Sequence, residues 1–135
     1  MRKHIYFLLL LLLLTFYIGF SQSLAPGIAW QKTIGGNSSD VLTAMCVKAD
    51  KSIVLCGYSN SGVSGNKSSN SFGGYDYWVV KLDASGNILW NKTFGGAKND
   101  FAAAVINTSD GGYLVGGSSI SNKSGNKSSI CFGNS

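Results

Sequence analysis

Few side chains in this 135-residue sequence are able to do chemistry, and most of them recur at a fixed spacing. Past residue 21 there are six aspartates, nine lysines, three cysteines and many serines, with no histidine, glutamate or arginine. Proton transfer needs a positioned group of suitable pKa, and a serine or cysteine nucleophile needs a base beside it. Only aspartate and lysine could serve as that base. Asp40 and Asp100 stand 60 residues apart, as do Asp50 and Asp110, while Asp76 and Asp83 flank one apolar segment. Carboxylates that return at one interval are expected to form turns, bonding to their own backbone, rather than a catalytic pair. The inventory therefore predicts no catalytic residues and no enzyme.

Other site motifs fail on their spacing. Gly62-Val63-Ser64-Gly65-Asn66-Lys67-Ser68 looks like a phosphate-binding loop, but Asn66 separates glycine from lysine and no helix pattern follows to present its N-terminus. There is no Cys-x-x-Cys and no Asp-x-Asp-x-Asp-Gly run, so neither a metal nor another cofactor is expected. The lysines are scattered, whereas a nucleic-acid surface gathers lysine and arginine into a patch. No nucleic-acid partner is expected. Cys46, Cys56 and Cys131 are an odd set for a disulfide framework. A three-residue hairpin turn over 50–52 would place Cys46 opposite Cys56, and a two-residue turn would not. The bridge stays open, beside a reading of all three as small packing residues.

What must position these residues is an internal duplication. Trp30-Gln31-Lys32-Thr33-Ile34-Gly35-Gly36 returns as Trp90-Asn91-Lys92-Thr93-Phe94-Gly95-Gly96, and Ser64–Ser69 returns as Ser124–Ser129. Aligned without a gap, 30–75 and 90–135 share 19 of 46 residues. Copies 30–89 and 90–135 therefore form a repeat, the second cut short before any counterpart of Asp76–Asp83.

Within a copy the elements are short strands. Ala44–Val47 and Ile53–Tyr58 flank a turn that reads Asp50-Lys51-Ser52 in one copy and Asp110-Gly111-Gly112 in the other, a hairpin signal. Tyr77–Leu82 alternates, with Trp78, Val80 and Leu82 on one face and Tyr77, Val79 and Lys81 on the other. Ile88–Phe94 is expected to put Ile88, Trp90 and Phe94 on one face. The fold class is all-β: tandem four-stranded antiparallel sheets, the second incomplete. Ser59–Gly74, rich in serine, glycine and asparagine, is expected to be the most solvent-facing loop, serving either as a binding surface or as a spacer.

The first 21 residues read as a signal peptide, with an N-terminal helix expected. Arg2, Lys3 and His4 precede a 16-residue apolar run, Ile5–Phe20, and Gly19 and Ser21 suit a cleavage site. That run is shorter than the roughly 18 apolar residues of a membrane span, which favours cleavage over an anchor. The remaining 22–135 would carry a net charge of about +3 and lie outside the inner membrane, secreted or at the cell surface.

Three segments carry a family resemblance: Asp76–Asp83, Gly86–Gly96 and Asp110–Ser118. Together they resemble the repeats of exported β-propeller proteins of Bacteroidetes, which commonly end in a type IX secretion sorting domain. Thr108-Ser109-Asp110-Gly111-Gly112 is similar to the Asp-box turn of sialidase-like propellers, and Asp83–Trp90 to the turn and tryptophan of quinoprotein-type repeats. The resemblance implies tandem blades, export, and further repeats to complete the fold, because a blade is covered by its neighbours. It implies a non-catalytic surface protein engaged in adhesion or in binding a glycan or protein partner through blade loops. An enzyme whose active site lies in other blades, or a structural spacer, is the alternative.

Overall fold

The computed structural model describes residues 25–133. The signal-peptide reading of 1–21 falls outside them. The described part is all-β, with six strands: β1 (Asp40–Val47), β2 (Ile53–Ser59), β3 (Asp76–Leu82), β4 (Ile88–Phe94), β5 (Asp100–Asn107) and β6 (Tyr113–Ser119). Strands β1-β2-β3-β4 make one antiparallel meander, and β5-β6 make a second, two-stranded sheet. Among these residues no helix is long and apolar enough to cross a membrane.

The duplication is geometric as well as sequential. Each boundary of β5 and β6 lies 60 residues after that of β1 and β2. Both hairpins break register at the same place, between Leu42 and Ala44 and between Ala102 and Ala104. Gly57 and Gly117 sit opposite these bulges, where a Cβ would overlap the carbonyl oxygen of Val41 or Phe101. Only glycine permits that approach. The sheet and the sequence repeat are out of phase, however. Trp90–Phe94 opens the second sequence copy yet forms β4, the last strand of the first sheet.

Two layers of side chains arise from the period-2 alternation. Trp78, Val80 and Leu82 share one face of the first sheet with Ile53, Leu55 and Ile88, and Ile34 from the N-terminal segment packs on it. Val54, Cys56 and Val79 point to the other face, where Ala102 and Val105 of β5 meet them. Ile88 and Trp90 were expected on one face and are found on opposite ones. The register slips between Lys81 and Leu82, so that Lys81 pairs with Trp90 and Leu82 with Ile88. That slip turns Trp90 toward the second sheet and against Tyr113, at 6.1 Å between ring centroids.

The two sheets stack through β5, which lies across β1, β2 and β3. Thr43, the extra residue of the first bulge, places its hydroxyl 3.1 Å from the Cys56 carbonyl and 2.9 Å from that of Ala102. Asn107 donates to the Val47 carbonyl and Lys48 to that of Gly111. At the opposite end Tyr58, Tyr75 and Phe101 form an aromatic trio with centroids 4.8 to 5.7 Å apart.

Candidate functional site

The polar residues gather where each long loop folds back on the strand entering the next hairpin. Asp40 and Asp100 anchor this place in the two copies. Gly36 donates its N–H to Asp40 Oδ2 at 2.8 Å, and Gly96 does the same to Asp100 at 2.7 Å. Ser61 donates its hydroxyl to Asp40 and accepts from Ser38 N–H; Ser121 repeats this with Asp100 and Lys98. Asn66 and Asn126 then bind the backbone of Gly35 and Gly95 through side chain and main chain together. Ser61 and Ser121 are fully buried. Their identity across the copies was the sequence signal for this role, though sequence reasoning did not single them out.

Ser59–Gly74 is therefore a knitted loop, and its solvent-facing reading is corrected at its centre. Lys67 is only 2% exposed. Its ammonium donates to the carbonyls of Ser61 and Ser69 at 3.0 and 2.7 Å and approaches Ser71 Oγ at 3.4 Å. Burial lowers its pKa, opposed by the charges of Asp76 and Asp40. All three ammonium protons are engaged inside the loop, so Lys67 offers nothing to a phosphate. Ser68 and Ser69 tie the loop's far limb to Asn91 and Thr93 of β4. The residues left outward include Asn60, Val63, Ser68 and Asn70. The backbone turns left-handed at Gly65 and Gly125 in both copies.

The second loop starts alike and ends differently. Among the described residues Lys127 reaches only Ser129, and it is half-buried. Cys131 stands where Ser71 does, and its thiol points at the Ser119 carbonyl from 3.7 Å, as Ser71 Oγ points at Ser59 from 2.9 Å. A cavity of about 180 Å³ lies here, lined by Tyr77, Phe94, Asp100, Ser119, Asn126 and Lys127.

Asp76 bonds to the backbone just before it, as Asp40 and Asp100 do. Its Oδ2 accepts from Phe72 and Gly73 N–H, closing the long loop before β3. Its Oδ1 faces the space above Gly95, where a Cβ would overlap it and come within 2.8 Å of Asp100 Oδ2. Both carboxylates are buried, and Oδ1 of each has no partner among the described residues. Burial chiefly raises the Asp76 pKa, with the Asp100 charge adding to the rise. Sequence reasoning missed this pair, because Asp76 and Asp100 have no relation in the repeat.

The remaining aspartates are turn formers, as expected. Asp50 accepts from Ser52 N–H and hydroxyl, Asp110 from Thr108 and Gly112, and Asp83 from Ser85 and Asn87. These bonds hold all three carboxyls below the usual carboxylate range. For the cysteines, the register decides against a bridge. Cys46 pairs with Val54 and Cys56 with Ala44, so the two are diagonal, and all three thiols are free. Burial pushes the Cys46 and Cys56 thiols up.

Among the described residues no group of three or more histidine, cysteine or acidic side chains could hold a metal ion. The arrangement can order a loop, bury charge and present short polar tips. No protein-family model matches the chain, and no curated protein or solved structure matches it either.

Proposed function

We propose that this chain belongs to an exported β-propeller repeat protein that binds a glycan or protein ligand through its loops and performs no chemistry of its own. The observation that carries this reading is the repeated unit: a hairpin with its bulge, followed by a loop locked in place by Asp40, Ser61 and Asn66 or by Asp100, Ser121 and Asn126. Sheets stacked by a fixed repeat set their loops at regular intervals, which is how propellers and other repeat proteins build binding surfaces. A loop braced from within costs little further entropy when it binds. In this reading Asn60, Val63, Ser68 and Asn70 form the contact tips, and the leader of 1–21 directs secretion to the cell surface, with type IX secretion as the route.

A glycan array probed with the protein as its host secretes it tests this. We expect binding to a narrow set of glycans, weakened at least tenfold by Asn60→Ala with Asn70→Ala. Turnover of a bound glycan would overturn the non-catalytic reading. Absence of binding to any glycan or surface protein would leave a structural spacer instead.

A further inference from the structure

Three aspartates close a short stretch of backbone in the same way, and each is left with an oxygen to spare. Asp40, Asp76 and Asp100 accept through Oδ2 from the N–H of Gly36, Phe72 and Gly96. Oδ1 of all three is buried and has no partner among the described residues. Asp76 and Asp100 then meet where the first sheet joins the second. Asp100 N–H donates to the Tyr75 carbonyl at 2.6 Å, and Asn99 Oδ1 accepts from Tyr75 N–H at 3.0 Å. These bonds hold the entries of β3 and β5 side by side. A Cβ on Gly95 would overlap Asp76 Oδ1 and lie 2.8 Å from Asp100 Oδ2, so glycine leaves nothing between the two oxygens. Asp76 is 0% exposed and Asp100 2%, both covered by the chain's own residues.

Two like charges this close and this deep do not coexist readily, and carboxylate pairs in such places hold one proton between them. We infer that Asp76 and Asp100 share one proton, taken from solvent and carried on Asp76 Oδ1, as a latch between successive repeat units. The O–H donates toward the Asp100 carboxylate. That gives the orphaned oxygen a bond and removes one of two buried charges. Asp100 is the better acceptor, because its Oδ2 takes donors at 2.7 and 2.8 Å, whereas the second donor to Asp76 stands at 3.4 Å. Burial and the Asp100 charge both raise the Asp76 pKa. Lys67 is the cation facing Asp76 from the long loop, but its protons are engaged by Ser61, Ser69 and Ser71, and Asp40 shares its field. Tyr77 and Lys127 line the cavity beside Asp100, and burial raises the Tyr77 pKa. A calcium ion takes about six to eight oxygens. Among the described residues no group of three acidic, histidine or cysteine side chains offers them.

The latch opens as pH rises. Below the folded pKa of Asp76 the pair carries one charge; above it a second charge appears inside the junction, and stability is lost. Carbon-13 shifts of the side-chain carboxyls in the labelled, intact chain read the proton directly, from about pH 3 to 9. We expect Asp50, Asp83 and Asp110 to ionise first and Asp76 after them, with the Asp100 resonance shifting in the same step as Asp76. Asp100→Asn takes away the like charge and should lower the Asp76 midpoint by at least about one pH unit. The paired shift in the parent decides the matter should that variant fail to fold. An Asp76 midpoint inside the ordinary carboxylate range overturns the shared proton. So does a high midpoint that Asp100→Asn leaves unchanged, which would make Asp76 a buried acid acting alone. Loss of the late step on adding about 5 mM calcium would place a cation there instead, and overturns it as well.

Discussion

Lys51 is the described non-glycine residue with a left-handed backbone, φ 64°, and Gly111 occupies the same place in the second copy with φ 85°. A side chain there costs about 1 kcal/mol. We expect Lys51→Gly to stabilise the first hairpin by about 0.5–1 kcal/mol and Gly111→Lys to destabilise the second by a similar amount, read as shifts of the urea midpoint. Asp76 makes a different prediction. Its folded pKa is raised, so its contribution to stability is full in acid and declines as pH rises through that value. Asp83, Asp50 and Asp110, held low, contribute above the ordinary carboxylate range and lose that contribution as pH falls. Asp76→Asn keeps the acceptor for Phe72 N–H and removes the charge facing Asp100, with Lys67 the nearest cation. Above the ordinary carboxylate range the urea midpoint of this variant should fall less with rising pH than that of the parent. A steeper decline would place the ionised Asp76 in a favourable field instead.

At the scale of one element, the long loop shows how alike two sequences can be while their roles differ. Ser64–Ser69 and Ser124–Ser129 are identical, yet Lys67 is buried and Lys127 is not. Lys67 also reaches the Ser61 carbonyl and Ser71 Oγ, whereas Lys127 bonds to Ser129, and Cys131 stands in the place of Ser71. Removing a buried, fully bonded ammonium leaves its acceptors orphaned. Lys67→Ala should cost about 2–4 kcal/mol, and Lys127→Ala no more than about 0.5 kcal/mol, by chemical denaturation of each variant. Equal losses would mean that the loop interior does not depend on the ammonium. The hairpin register has its own readout. With Cys56 1% exposed and diagonal to Cys46, alkylation of the folded chain should label Cys131 well before Cys56, with three thiols titrating after unfolding.

Across the whole molecule, stability is shared unevenly between the sheets. Burying a leucine or valine is worth about 1.5–3 kcal/mol, so Val54 contributes to the junction what Leu114 does not. The second sheet leans on the first through Thr43, Lys48 and the apolar cluster about Val105. Thr43→Val should weaken that hold by about 1 kcal/mol and speed amide exchange in β5 and β6 before β2 and β3. Residues 22–135 alone are expected to melt in urea at low denaturant and with poor cooperativity, because both end faces are bare. A single sharp transition would contradict that dependence.

Much of the fold was legible in residue order. The duplication at 60, the alternation of Tyr77–Leu82 and the turn at Asp50 or Asp110 foresaw the strands, the hairpins and their shared faces, because period and turn chemistry are local properties. Three things were settled only by the tertiary structure. The slip between Lys81 and Leu82 sent Trp90 to the opposite face from Ile88, a matter of pairing that no single strand records. The packing of β5 brought Asp76 and Asp100 together around Gly95, joining residues that the repeat does not relate. The folding of the first long loop, with Ser61 and Ser71 around the ammonium, made one of two repeat-equivalent lysines a buried cation. Local pattern says which side chains point the same way; what covers them depends on segments distant in the chain, and only the folded arrangement places those.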